Sequence, residues 1–222
     1  MKKQNTRCDS MISRQEGDWN MKHPAFFDEI PRISLYDPLA EFLGAAEDGI
    51  LEYSYFDAVR LAGHSCPTVA SAYWATCKAM AFLYPDATPV RGDIRVEFNQ
   101  DSASGVTGVI ANVVSMLTGA MADNGFKGIG GRYDRRERLF FSAGMQDAMR
   151  FTRLDTNQAV QLTVNLQRVP ASPSLPDLMA RCIANTATSA EFAEFRHLWQ
   201  ERVRSILLDH RDDPQVFIMT HA

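Results

Sequence analysis

The chain has 222 residues, 45% of them apolar, with a net charge of −4 at pH 7 and a pI near 5.7. That is enough length and apolar surface for one large domain or two small ones with a substantial core. The acidic balance argues against a free-standing nucleic-acid binder, which usually carries a basic excess, and no apolar run reaches the roughly 18 residues needed to span a bilayer.

Met1 to Asn20 are mostly polar and lack the apolar core of a secretory signal. Residues 1–22 are therefore expected to be a flexible extension or an overlong start. His23 to Pro38 holds three prolines and reads as an extended lead-in. Asp37 and Pro38 then predict the cap and first residue of a short helix, with Leu39, Phe42 and Leu43 as its apolar side. A second helix is expected over Tyr53 to Leu61, ended by Gly63.

Cys66 precedes Pro67, and a residue before proline is biased toward extended backbone. Cys66 thus suits an N-cap and Pro67 the first turn of a helix running to about Leu83. Lys78 is the one charge in that run. A helix apolar nearly all round is buried, in a core or between subunits. Ile94, Val96 and Phe98 alternate with Arg95 and Glu97 as in a half-buried strand. Val106 to Met121 reads as a second apolar helix, and the two long helices look too apolar for one chain to cover, which predicts a homodimer.

A glycine-rich run, Gly125 to Gly131, leads to expected short strands near Tyr133 and at Leu139–Phe141. Between them, Arg135, Arg136 and Arg138 read as a solvated turn. Further strands are expected over Met149–Leu154 and Val160–Val169. Pro170, Pro173 and Pro176 mark a boundary, followed by helices over Leu175–Ile183 and Ser189–Leu208. The fold class expected is α+β: an antiparallel or mixed sheet against long apolar helices. Residues 23–170 form the main domain, and 171–222 a helical segment packing on it or on a second subunit.

Chemistry concentrates in Gly63-His64-Ser65-Cys66-Pro67. Imidazole and thiolate are soft ligands for a transition metal. In extended backbone, residues i and i+2 point to one side, within reach of one ion. A thiol at a helix start also meets the positive end of the helix, which favours a thiolate. Two donors cannot close a structural site, so the rest of the shell would come from far along the chain, a partner or water. Alternatively, His64 caps a helix and Cys66 is a small buried hydrophobe. A third reading makes Cys66 a nucleophile with His64 as its base.

The other signals are weaker. No Cys-x-x-Cys pair exists among Cys8, Cys66, Cys77 and Cys182, so free thiols and a cytoplasmic setting are the default. Cys66 and Cys77 lie eleven residues apart on helix, about 16 Å, which is too far to share an ion. Cys77, Cys182 and Cys8 are read as core. Lys127 in the glycine-rich run could serve an anion, although the run fits no phosphate-binding fingerprint and a tight turn explains it as well. His197 could join a site at a helix interface. Asp57, Glu97 and Asp101 are candidate bases.

Ala62-Gly63-His64-Ser65-Cys66-Pro67-Thr68 resembles the His-Gly-His-x-Cys-Pro-Gly signature of the FmdE family, named for formylmethanofuran dehydrogenase. Met116-Leu117-Thr118-Gly119-Ala120, Gly125–Gly128 and Arg132–Phe141 resemble later segments of that family in the same order, so the match spans about residues 50–170. The resemblance implies an α+β dimer with a metal, commonly zinc, and His64 and Cys66 as ligands. It also implies a small-molecule ligand or a partner redox enzyme, with the chain acting as an enzyme or as a metal or cofactor carrier. The family's first histidine is Ala62 here, its later cysteines fall at Thr107–Val109 and Ala120, and its cysteine-rich tail is absent.

Overall fold

The computed structural model describes residues 22–221. The expectation for residues 1–22 thus lies, Lys22 apart, outside the described residues, as does that for Cys8.

Two sheets and a helical layer make the α+β architecture expected. The larger sheet has the order β4-β3-β5-β6-β7, with β3 at Ile94–Phe98, β4 at Leu139–Phe140, β5 at Met149–Arg153, β6 at Ala159–Val164 and β7 at Phe217–His221. β4 runs parallel to β3 and the other neighbours are antiparallel, so the sheet is mixed. A two-stranded antiparallel ribbon joins β1 (Ile33–Tyr36) to β2 (Ile50–Tyr53).

The helices follow the punctuation in the sequence. Asp37 caps α1 (Pro38–Phe42), its carboxylate accepting from the N–H groups of Leu39 and Ala40. Ser54 and Asp57 make a capping box at α2 (Tyr55–Ala62), and Gly63 ends that helix at φ 75°. α3 (Pro67–Leu83) starts where Cys66-Pro67 places it. α4 spans Thr107–Thr118, α5 Leu175–Ile183 and α6 Ser189–Arg204, the last continuing as a π-helical turn to Asp209.

α3 is the axis of the core. Val69, Tyr73, Ala75, Ala79, Met80 and Leu83 are fully enclosed. The helix lies between β5 and β6 on one side and α2, α4 and the end of α6 on the others. One chain therefore covers α3 by itself, and the helix is not what a second subunit is needed to hide. Each large apolar side chain buried here contributes about 2 kcal/mol. Lys78 escapes to the edge, where it pairs with Asp212 at 3.0 Å.

Several expectations are corrected. Phe42 and Leu43 are more than half exposed, so α1 packs through Ala40 instead. The lead-in carries a 3-10 turn (Ala25–Glu29) and strand β1. Tyr133 sits at φ 64°, not in a strand. The last predicted strand stops at Val164 and becomes a 3-10 turn over Leu166–Arg168. The C-terminal segment is not purely helical, because β7 returns to pair with β6.

Arg135 departs furthest from expectation. Arg136 is exposed and paired with Asp134, as a solvated turn requires. Arg135 is instead buried, 2.6 Å from the Asp37 carboxylate, which also takes Arg91 at 2.8 Å. Its guanidinium lies flat on Gly92, where a Cβ would meet Nη1 at 1.4 Å, and glycine is required there for space as well as for its φ of +90°. Arg138 also turns inward and donates to the Gly92 carbonyl.

Burial works against the Asp37 charge, but the bonds from Arg91 and the charge of Arg135 outweigh it and hold the carboxyl below its ordinary value of 3.8. The stability it contributes is therefore complete above that value and is lost as pH falls toward the lower folded-state value. Asp37→Asn should cost about 3 kcal/mol in urea melts at pH 7, and the gap between variant and wild type should narrow below about pH 4.

Candidate functional site

The His64–Cys66 loop lies between the αL end of α2 and the first turn of α3, with a bend at His64 and extended backbone at Cys66. His64 is exposed and Cys66 is enclosed, at 9% exposure. Each has a defined partner. The Nδ1 of His64 donates to the carbonyl of Ala62 at 2.9 Å, which leaves Nε2 free of that bond. The Cys66 sulfur accepts from the N–H of Val69 at 3.4 Å, the bond of an N-cap.

Ser65, between them, is clamped. Its hydroxyl bonds Tyr55 at 2.9 Å and the Gln200 side chain at 3.0 Å. Its carbonyl accepts from Trp199 Nε1 at 2.9 Å and from Gln200 Nε2 at 3.3 Å. Tyr55 is fully buried and its hydroxyl is held protonated, burial raising its pKa. The motif is thus locked by α2 on one side and by α6, more than 130 residues later, on the other. Trp199 falls within the helix expected over Ser189–Leu208, and its spacing did not mark it as a partner of Ser65. Gln200 carried no signal at all.

A family model described as FmdE, molybdenum formylmethanofuran dehydrogenase operon, matches residues 61–213, beginning at this loop and running through the helix that clamps it. The chain belongs to the FmdE family. No curated protein matches it. The matched span reaches well past residue 170, and in this FmdE chain the C-terminal helix carries the Trp199 and Gln200 bonds that hold the motif.

The remaining candidates lie elsewhere. Asp57 is occupied as the cap of α2, accepting from the N–H and hydroxyl of Ser54 at 2.8 and 2.7 Å. Glu97 faces Arg95 across 3.6 Å on β3, and Asp101 accepts from Ala103 in an exposed turn. None of the three lines the cavity beside His64. His197 is exposed on α6 and does not line it either.

Lys127 is exposed, and the glycine-rich run around it closes on itself. Ile129 and Arg132 exchange backbone hydrogen bonds, and Phe126 accepts from the Arg135 N–H. A Cβ at Gly128 would meet the Arg132 carbonyl at 2.2 Å, so the run is a tight turn.

Among the described residues, no three of His, Cys, Asp and Glu come together in a way that could hold an ion. The donor set of the loop is therefore two soft groups, one exposed and one at the edge of the core. That suits a shell completed by solvent, a ligand or another chain, and does not suit a closed structural site.

Cys77 is half-buried on α3 beside a cleft of about 460 Å³. Burial pushes its thiol up to about 12, a hydrogen bond with Tyr73 offsetting part of the effect. Cys182 is half-buried on α5 and is not a core residue. At pH 8 the Cys77 thiolate fraction should be about a thousandfold below that of an ordinary thiol. Iodoacetamide labelling followed by peptide mapping should find Cys77 unmodified in folded protein and fully modified in urea.

Proposed function

We propose that this FmdE chain is a non-enzymatic metal-binding accessory protein that carries a zinc-like divalent transition ion in an open, exchangeable site. His64 would donate through Nε2 and Cys66 through its thiolate. The observation that carries the reading is the His64 Nδ1–H bond to the Ala62 carbonyl. Metal-bound histidines characteristically give their second ring N–H to a backbone carbonyl or carboxylate, which fixes the tautomer and orients the other nitrogen toward the ion. In this chain the family's first histidine is Ala62, and its carbonyl takes that orienting role.

The position of Cys66 supports the reading as well. A sulfur at an N-cap sits where backbone N–H groups and the helix dipole favour negative charge. When bound, the ion would offer vacant positions to donors from a ligand or a partner. The carrier reading is preferred to a catalytic one because none of Asp57, Glu97 and Asp101 stands at the loop to move a proton. The thiol-enzyme reading gains nothing from the geometry, since Cys66 is enclosed and the Nδ1 of His64 is engaged elsewhere. Free thiols at Cys66, Cys77 and Cys182 fit a reducing compartment such as the cytoplasm. No helix among the described residues is long and apolar enough to cross a membrane.

Protein purified without a polyhistidine tag should carry close to one equivalent of metal by elemental analysis and yield it readily to a competing chelator. His64→Ala and Cys66→Ser should each lose most of it. Serine still caps α3, so the second variant separates ligation from folding. Stoichiometric metal in a His64→Ala, Cys66→Ser double variant would overturn the assignment, as would metal-free wild type that takes up none on titration.

We propose, in addition, that the chain works as a homodimer. The support is an exposed apolar surface: Leu61, on the rim of a groove floored by Met116, Met121 and Leu139, together with Val106, Phe126, Ile129 and Phe140. Light scattering at micromolar concentration should return twice the 24.9 kDa of one chain. A monomeric mass would refute this.

A further inference from the structure

Beside the His64–Cys66 loop is a cavity of about 560 Å³, within the range of small-molecule sites. Its walls come from three separate parts of the chain: the lead-in before β1, α2, and α6. One wall is an aromatic cluster. His23 stacks on Phe27 with ring centroids 5.3 Å apart and planes within 10°, and lies 4.6 Å from Phe56. The other wall is Phe195 and Trp199 of α6, with centroids 5.8 Å apart. Phe195 and Trp199 are half-buried, held open to the cavity by the Trp199 bond to Ser65.

The charges around this space are of one sign. Lys22 and Arg196 line it along with His23 and His64, and among the described residues no carboxylate does. Neither Lys22 nor Arg196 has an ion-pair partner within 4 Å among the described residues, although Arg196 also rests over the ring of Phe192. Asp28 lies 3.7 Å from His23 Nε2, is largely exposed and does not line the cavity. Gln200 adds a neutral amide.

Two facing aromatic walls accept a flat ring by stacking. A lining whose charged groups, among the described residues, include Lys22 and Arg196 and no acid favours an anion on that ring, and arginine is suited to a carboxylate because its donors form a planar fork. We propose that this cavity is a binding site for a small planar aromatic carboxylate, its ring between the Phe27–Phe56 and Phe195–Trp199 walls and its carboxylate toward Arg196 and Lys22. The proposal does not need the metal, because the walls and the charges are present in the protein alone.

The test uses the full chain, stripped of metal with chelator and free of any tag. 2-Naphthoate and its neutral counterpart 2-naphthylmethanol are titrated by calorimetry, with tryptophan fluorescence followed in parallel. Naphthoate should bind saturably and about tenfold more tightly than the alcohol. Arg196→Gln, an exposed substitution that gives up only the contact with the Phe192 ring, should remove most of that preference and leave the alcohol unchanged. Phe195→Ala should weaken both ligands. Equal binding of acid and alcohol, or naphthoate binding untouched by Arg196→Gln and Phe195→Ala, would overturn the proposal, as would no saturable heat with either probe up to millimolar concentration. Because the titration is done without metal, its failure leaves the metal reading standing, and a failed metal analysis leaves this one standing.

Discussion

The Asp37 carboxylate is the contact on which the arrangement of the fold depends. It caps α1, holds Arg91 and holds Arg135, three residues scattered over about a hundred positions of chain. Each partner is tied onward. Arg91 donates to the Met116 carbonyl near the end of α4, and the backbone of Arg135 bonds Met121 and Phe126. One buried acid thus joins the β1–α1 corner, the end of α4 and the glycine-rich turn. Taking a carboxylate out of water costs several kcal/mol. Two guanidinium groups and two backbone N–H groups offset that cost, and the lowered Asp37 pKa is the sign that they prevail. Arg135 also explains glycines that look unremarkable in sequence. Gly92 and Gly119 both lie against its guanidinium, and a Cβ at Gly119 would crowd its Nη1 at 2.9 Å.

The functional loop is supported by a second, separate construction. Gly63 stops α2 in the left-handed region, Pro67 starts α3, and the three residues between have little freedom. Ser65 is fixed by Tyr55 from within and by Trp199 and Gln200 from α6. With Ser65 pinned, His64 lies beside the cavity and Cys66 caps the start of α3. The same bonds that hold the motif also build one wall of the aromatic cavity. Cavity and loop therefore share α6, whose Trp199 and Gln200 both line the one and hold the other.

The helical part of the fold was legible because its signals are local. Asp37-Pro38, the Cys66-Pro67 start of α3 and the Gly63 end of α2 are caps and breakers, read within a few residues, whereas the helix expected to Met121 stops earlier, at Gly119. The alternation at Ile94–Phe98 was equally plain. The strands that were missed are pairings between distant segments. Ile50–Tyr53 is short and flanked by helix signals, and Phe217–His221 gains its meaning only from β6. Phe42 and Leu43 misled because an apolar side chain says nothing about whether a partner surface exists.

At the site, the sequence by itself determined the chemistry: an imidazole and a thiol two residues apart at a helix start, and a family to which that pattern belongs. Tertiary structure decided the rest. It left one donor exposed and enclosed the other, because Cys66 caps α3 at the edge of the core while His64 lies in the bend after α2. It also converted Arg135 from a solvated charge into a buried one and brought His23, Phe56 and Trp199 around one cavity. Those outcomes depend on contacts between segments some thirty to 180 residues apart along the chain. Local pattern carries no record of such contacts, since what fixes them is which surfaces remain to be covered once the helices and strands have formed.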